Sequence, residues 1–207
     1  MPNPAKSIYL ASRSARRREL LRQIGVGYEL LMLREDQRRG GDVDESPRPN
    51  EAPIDYAVRV AQMKAAAGLQ AMSRRLGPRK PVLAADTTIA LDEHIIGKPD
   101  DVEDAVRILT ALSGRSHGVI TAVSIAFADR LETRVSTSTV TLQALDEARI
   151  RRYIASGESM DKAGAYAVQG RAATFITRIE GSYSGIMGLP LAETSELLAL
   201  FGIDSLQ

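Results

Sequence analysis

At 207 residues the chain is long enough for one large domain or for two lobes around a shared core. Its 27 Lys and Arg against 26 Asp and Glu leave a net charge of +1, so no global field recruits nucleic acid and any anion site must be local. The absence of cysteine excludes disulfides and thiolate metal sites, and aromatics at 4% with no Trp argue against stacking platforms for single-stranded nucleic acid.

The opening MPNPAKSIYLAS has too short an apolar run for a secretory signal, and no stretch approaches the ~20 apolar residues of a membrane span. The expectation is a cytoplasmic protein with no membrane partner. Residues 8–11 read as a buried strand and Ser12-Arg13-Ser14 as a turn. A helix follows, capped by Ser14, with Leu20, Leu21 and Ile24 on one face. Arg16, Arg17 and Arg18 fall in its first turn, where the helix dipole is already positive and acidic residues are preferred; only Glu19 opposes them. A strand, a small-residue turn and a basic helix N-terminus suit a polyanion such as a phosphate chain. A solvated arginine cluster on an ordinary amphipathic helix is the alternative.

Residues 28–33 suggest a second strand, and residues 34–53 a long polar loop punctuated by Gly40, Gly41, Pro47, Pro49 and Pro53. Its acidic knot, Asp42 to Glu45, is either solvated charge, as read for Asp42 and Asp44, or a metal-facing group. The period of residues 54–72 predicts a helix with Ile54, Val58, Ala61, Ala65, Leu69 and Met72 on its buried stripe. Arg59 belongs to the polar stripe. Lys64 lies on neither, beside Ala57, Val60 and Ala71, and either snorkels to water or points into a cleft.

Residues 82–85 read as a buried strand that Asp86, Thr87 and Thr88 interrupt and residues 89–91 resume; a turn at Asp92-Glu93 leads into a hairpin partner. A carboxylate in a buried strand is costly unless paired, hydrogen-bonded or on a metal, which makes Asp86 the best single candidate for chemistry. Two histidines, His94 and His117, give little support to a zinc site or a catalytic triad. A helix is expected over residues 100–112 with Val102, Ala105, Val106, Leu109 and Leu112 buried. Two long strands follow at 118–128 and 131–142, then a helix from the cap Asp146 to residue 154. Residues 161–171 are irregular and Gly-punctuated and carry Tyr166 and Gln169. A strand over 172–179, a flexible turn over 181–185 and a closing helix over 190–201 complete the chain. With no repeat or linker, residues 1–207 read as one α/β domain on a mixed sheet.

Arg13, Arg16, Arg17, Lys64 and Lys98 supply cations, Asp86 and Glu45 carboxylates, and Gln169 a polar amide. Cations and carboxylates without Cys, a His cluster or a Walker-type loop point to metal-assisted attack on a phosphoanhydride. Hard oxygen ligands select a divalent cation such as Mg2+ or Mn2+.

Four segments in order, LASRSARRRELL, YAVRVAQMKA, LAADTTIALDEHIIGKP and DKAGAYAVQG, resemble the Maf family of nucleoside triphosphate pyrophosphatases over nearly the whole chain. The resemblance implies a two-lobed α/β fold related to the inosine triphosphate pyrophosphatases, a nucleotide cleft between the lobes, a divalent metal, and homodimers. The implied reaction is hydrolysis of a nucleoside triphosphate between the α and β phosphates. Asp86 matches the family's catalytic acidic position. Ser14, Arg17, Lys64 and Lys98 match phosphate-handling positions, with Arg13 beside them. Glu45 matches an acidic position in a loop longer here than is usual, and with Asp86 it is the implied metal ligand. Arg16, Thr87 and Gln169 match the positions tied to base choice, and this combination resembles the dTTP/UTP branch. Ala15 departs from the Pro common there, a replaceable first helical residue. Thr87 adjoins Asp86, so in a regular strand the two side chains face opposite ways; either the strand is distorted or Thr87 acts through its backbone or through another residue. The rival readings are a purine-directed pyrophosphatase and a nucleotide-binding regulator of cell division without turnover.

Overall fold

The structure, a computed structural model, describes residues 7–34 and 41–205. The expected signal-free N-terminus (residues 1–6) and part of the expected loop, Gly40 included, lie outside the described residues. In chain order the elements are β1 (Ser7–Leu10), α1 (Ala15–Gln23), β2 (Gly27–Leu30), α2 (Pro53–Ser73), β3 (Val82–Leu91) and β4 (His94–Ile96). Then come α3 (Val102–Leu112), β5 (Ser116–Phe127), β6 (Arg130–Leu142), α4 (Glu147–Ile154), β7 (Ile176–Glu180), α5 (Tyr183–Ile186) and α6 (Leu191–Leu200). The strands form one mixed sheet in the order β2-β1-β3-β5-β6-β7, with β4 on β3. β1 is parallel to β2 and β3, and the other pairings are antiparallel. No helix among the described residues is long and apolar enough to cross a membrane.

β3 is the strand on which the site depends. Along one edge it pairs continuously with β5, from Val82 opposite Ala126 to Ala90 opposite Gly118. The expected interruption at residues 86–88 is therefore absent: the ladder carries Asp86 through without a break. Along the other edge β1 covers only Val82 and Leu83, and β4 covers only Ile89 to Leu91. Between them that edge has no partner strand among the described residues. The amides of Tyr9 and Ala11 bond the Pro81 and Leu83 carbonyls, both at 2.8 Å, so odd-numbered residues of β3 turn their backbone groups to this side. By the two-residue alternation of a strand, Ala85 and Thr87 turn theirs into the gap. The turn into β4 holds Asp92 and Glu93 at φ +49° and +64°, the left-handed pair that a two-residue hairpin requires.

Apolar cores lie on both faces of the sheet. On one, α2 packs Ala57 and Ala61 on Ile120 and Ala122 of β5, and Ala65 and Met72 on Val82, Ala84 and Tyr9. On the other, α1 and α6 cover Leu10, Leu83, Val123 and Ile125 with Leu20, Leu21, Leu197 and Leu198. Towards the other end of the sheet, α3 and α4 build a core of Leu109, Leu112, Ile150 and Tyr153 against Ile89, Val119 and Val140. The fold is thus the α/β, mixed-sheet architecture the sequence predicts.

The buried stripe of α2 differs from expectation. It runs through Ala57, Val60, Ala61, Ala65 and Gly68, while Ile54 is 43% exposed. Small side chains win this face because the helix sits close: a Cβ on Gly68 would lie 2.7 Å from Cγ1 of Val82. Lys64 falls on that face, in register with Val60 and Gly68 at the four-residue spacing of a helix ridge. Val102 opens α3 towards solvent and is also exposed. Residues 171–175 form a 3-10 turn, and only Ile176–Glu180 are strand. Most of the turn expected over residues 181–185 is taken up by α5, a helical turn fixed by Ser182, whose hydroxyl accepts from the Gly185 amide at 3.0 Å. β2 ends at Leu30, short of residue 33.

The close seating of α2 has a direct test. Gly68→Val forces a branched side chain into the contact with Val82, and overpacking of this kind costs about 1–3 kcal/mol. The expected result is a lowered urea midpoint, and an unchanged midpoint would mean that α2 does not sit this close to β3.

Candidate active site

The uncovered edge of β3 opens into a cleft of about 940 Å3, at the upper end of the range of small-molecule sites. All ten residues singled out from the sequence, Arg13, Ser14, Arg16, Arg17, Glu45, Lys64, Asp86, Thr87, Lys98 and Gln169, line it.

Asp86 is 7% exposed in the middle of β3. Its Oδ1 accepts from Lys64 Nζ at 2.9 Å, and the same ammonium donates to Glu45 Oε2 at 2.7 Å. One lysine on α2 thus bridges a strand carboxylate and a loop carboxylate. Among the described residues the second oxygens of Asp86 and Glu45 have no hydrogen-bond partner. No third acidic or imidazole group converges with them among the described residues. Two carboxylates with spare oxygens fit a magnesium-type ion, which takes one or two protein carboxylates and completes its shell with water and substrate phosphates.

The loop that carries Glu45 is held by α2, which the sequence reading missed. Tyr56 donates its hydroxyl to the Glu45 carbonyl at 2.9 Å. Arg59 forks onto Glu51 at 2.6 and 2.7 Å and donates to the carbonyls of Asp44 and Ser46 at 3.3 and 3.0 Å. Those carbonyls flank Glu45 on both sides. The Arg59 fork holds the Glu51 carboxyl down at about 2, so the clamp stays charged at any physiological pH. The only sequence signal for it was an arginine five residues before Lys64. Asp44 accepts from the Ser46 amide, and Asp42 pairs with Arg34, so neither is a simple solvated charge.

Across the cleft mouth, Ser14 caps α1 as expected, accepting from the Arg17 amide at 3.4 Å. Arg17 is braced three ways: Nε to the Gly188 carbonyl at 2.7 Å, Nη1 to Ser12 Oγ at 3.2 Å and Nη2 to Thr87 Oγ1 at 3.3 Å. Burial lowers the guanidinium from its ordinary value, and the charges of Asp86 and Glu45 oppose that. The Thr87 hydroxyl also lies 3.0 Å from Thr121 Oγ1, which donates to the Gly185 carbonyl at 2.7 Å. β3 is regular here, so Thr87 faces away from Asp86 and braces Arg17, while its backbone faces the gap. Arg13 reaches the Leu33 carbonyl at 3.2 Å.

The opposite wall comes from the segments after β4 and α4. Lys98 is exposed there and makes no ion pair with the described residues. Gln169 is likewise exposed, and its amide makes no hydrogen bond to the described residues. Asp161 and Lys162, an ion pair that the sequence reading passed over, also line this wall. Tyr166 hydrogen-bonds His117 Nε2 at 2.7 Å beneath it. His94 is exposed, with Nδ1 at 2.8 Å from the Asp92 carbonyl.

Burial lowers the His117 imidazole to about 4, against about 6.5 in an unfolded chain. The unfolded chain therefore binds the proton first. Folding stability falls as pH drops from about 6.5 towards 4 and is unaffected by this group above that window. Chemical denaturation across pH 4 to 8 should show this slope, and His117→Phe should flatten it; an equal slope in both proteins would place its origin elsewhere.

The chain is similar to known proteins over nearly its whole length. The pattern of one family, described as Maf-like protein, matches residues 7–201. A dTTP/UTP pyrophosphatase of Nitrosomonas europaea is 54% identical over 196 residues, 95% of each chain. That of Aromatoleum aromaticum is 56% identical, covering 94% of this chain and 95% of its own. That of Dechloromonas aromatica is 49% identical, covering 94% and 97%. Among solved structures, the Staphylococcus aureus Ham1 protein aligns over 66% of this chain and 72% of its own, with a TM-score of 0.45 and 17% identity, a likeness too slight to argue from.

Proposed function

The chain belongs to the Maf-like protein family, and on that premise we propose that it hydrolyses dTTP and UTP to the monophosphate and pyrophosphate through the Asp86–Lys64–Glu45 cluster. The observation that carries the reading is that this bridged carboxylate pair shares one cleft with an untethered glutamine amide. The enzyme is a hydrolase of nucleoside triphosphates, as its relatives are named.

In this reading the phosphate chain lies against the N-terminus of α1, where Ser14, Arg13, Arg16 and Arg17 offer positive charge and backbone N–H groups. Lys64 and Lys98 face it from other walls of the cleft. Asp86 orients the attacking water and takes its proton. Lys64 holds Asp86 in place for that role through its hydrogen bond to Oδ1. A divalent ion held by Asp86 and Glu45 would neutralise phosphate charge. The pyrimidine edge presents one N–H between two carbonyls, and the Gln169 amide has both an acceptor and a donor to meet it. A base that left this amide unpaired would be disfavoured. Thr87 contributes through Arg17 and through its backbone at the gap. The substrate pool is the cytoplasmic one, and removal of non-standard pyrimidine nucleotides from it would limit their incorporation.

The test is a nucleotide panel with the purified protein in Mg2+ or Mn2+ and the products identified. Monophosphate plus pyrophosphate from dTTP and UTP, with little from purine triphosphates, is expected. Asp86→Asn should lose about 10²–10⁴-fold in kcat, the usual worth of a positioned acid–base group, while still binding nucleotide. Full activity in Asp86→Asn would remove it from the chemistry, and no turnover of any nucleotide by the folded protein would favour a binding protein instead.

A further inference from the structure

Gln169 can read a base only if something fixes its position, and its own side chain has no tether among the described residues. The anchor lies beneath it. The Gly170 amide bonds the Ala167 carbonyl at 3.0 Å, closing a tight turn with Gln169 next to its end. On the entry side of that turn, the Ala167 amide donates to the Tyr153 hydroxyl at 3.3 Å. On the exit side, the amides of Arg171 and Ala172 donate to Glu158 Oε2 and Oε1 at 3.0 and 3.4 Å. The two anchors are joined, because the Tyr153 hydroxyl donates to Glu158 Oε1 at 2.9 Å.

This arrangement explains the glycine after Gln169. A Cβ at residue 170 would stand 2.2 Å from Glu158 Oε2 and 2.4 Å from its Cδ. Gly170 precedes the 3-10 turn Arg171–Phe175 and has no side chain to cap it. The Glu158 carboxylate takes that place, accepting the first two amides of the turn from the space a side chain would fill. Those hydrogen bonds outweigh desolvation, the largest single effect, which opposes ionisation; the carboxyl is held below its usual range. Tyr153 is itself set edge-on against Phe175, ring centres 5.2 Å apart, so the anchor extends into the core.

We propose that Glu158, with Tyr153, is a specificity-positioning residue: it holds the turn that presents Gln169 to the base, without touching substrate. The inference rests on Gln169 being the base reader. Glu158 and Tyr153 do not contact Asp86, Lys64 or Glu45, so the chemical step is insulated from them. Glu158→Gln keeps the shape but replaces one acceptor oxygen with a donor, which opposes the Arg171 amide in one orientation and the Ala172 amide with the Tyr153 hydroxyl in the other.

The experiment compares Glu158→Gln, Gln169→Ala and the double variant, with UTP and ITP as substrates and thermal unfolding measured alongside. Glu158→Gln should raise KM for UTP roughly tenfold, leave kcat within about threefold, and erode the preference for UTP over ITP. Added to Gln169→Ala, it should change little further, because the side chain it positions is gone. If Gln169→Ala leaves KM and preference intact, base reading by Gln169 fails. If Gln169→Ala acts and Glu158→Gln does not, the positioning role fails and the base reading stands. Equal loss of kcat on both substrates in Glu158→Gln would assign it a merely structural role. Should Glu158→Gln not fold, Tyr153→Phe removes the Ala167 acceptor and must give the same split between KM and kcat; an unchanged preference there overturns the proposal.

Discussion

A carboxylate in the middle of a buried strand needs a compensating charge, and the site is built around how this chain supplies one. Removing one partner of a buried pair leaves an uncompensated charge worth about 3–5 kcal/mol. Asp86 meets that constraint through Lys64, and Lys64 can reach it only because α2 sits close on β3. The close seating in turn requires alanines and a glycine on the buried stripe of the helix. The same ammonium draws Glu45 in from its loop, and Tyr56 and Arg59 hold that loop from the same helix. A packing requirement and a charge requirement thus converge on one turn-by-turn pattern along α2.

The second constraint is topological. β1 and β4 each pair with one end of β3 and leave its middle without a partner strand among the described residues. An uncovered edge inside a sheet exposes backbone donors and acceptors that a folded protein would ordinarily pair. Here they line a cleft with cationic and polar side chains, where substrate or water can satisfy them. The division of labour follows from the two faces of the strand. Asp86 turns to α2 and its lysine, whereas Thr87 turns to α1 and braces Arg17. Thr87 therefore bears on the cleft through Arg17 and its own backbone rather than by aiming its hydroxyl into it.

Much of this was legible in the sequence. The apolar run before Ser14, the capped basic helix and the Asp92-Glu93 hairpin all carry local signals, and the structure has them as read. Asp86 stood out because its chemistry contradicts its surroundings. What misled was burial on α2. Hydrophobicity favoured Ile54, Val58 and Leu69, but the helix approaches the sheet most closely at Gly68, so small residues, Ala57, Ala61, Ala65 and Gly68, take most of the buried face, with Val60 and Met72 beside them. Residues 172–175 of the 3-10 turn were read as the start of a strand because their apolar residues have no helical period, and the turn's determinant, Glu158, lies thirteen residues before Arg171. The Arg59 clamp was invisible for the same reason: its partners are loop carbonyls and Glu51, which no spacing in the sequence connects to it.

The most direct test of the account is pyrophosphate release from UTP by the natural chain and by Lys64→Met, measured side by side with nucleotide binding and near-ultraviolet circular dichroism. If Lys64 holds the two carboxylates in their working geometry, the variant stays folded, binds UTP, and loses at least about 10²-fold in kcat, equivalent to about 2.7 kcal/mol of transition-state stabilisation. A folded Lys64→Met protein that releases pyrophosphate within about threefold of the natural rate would contradict the account, because the bridge between Asp86 and Glu45 would then be an ornament of the fold and the chemistry would have to be sought elsewhere in the cleft.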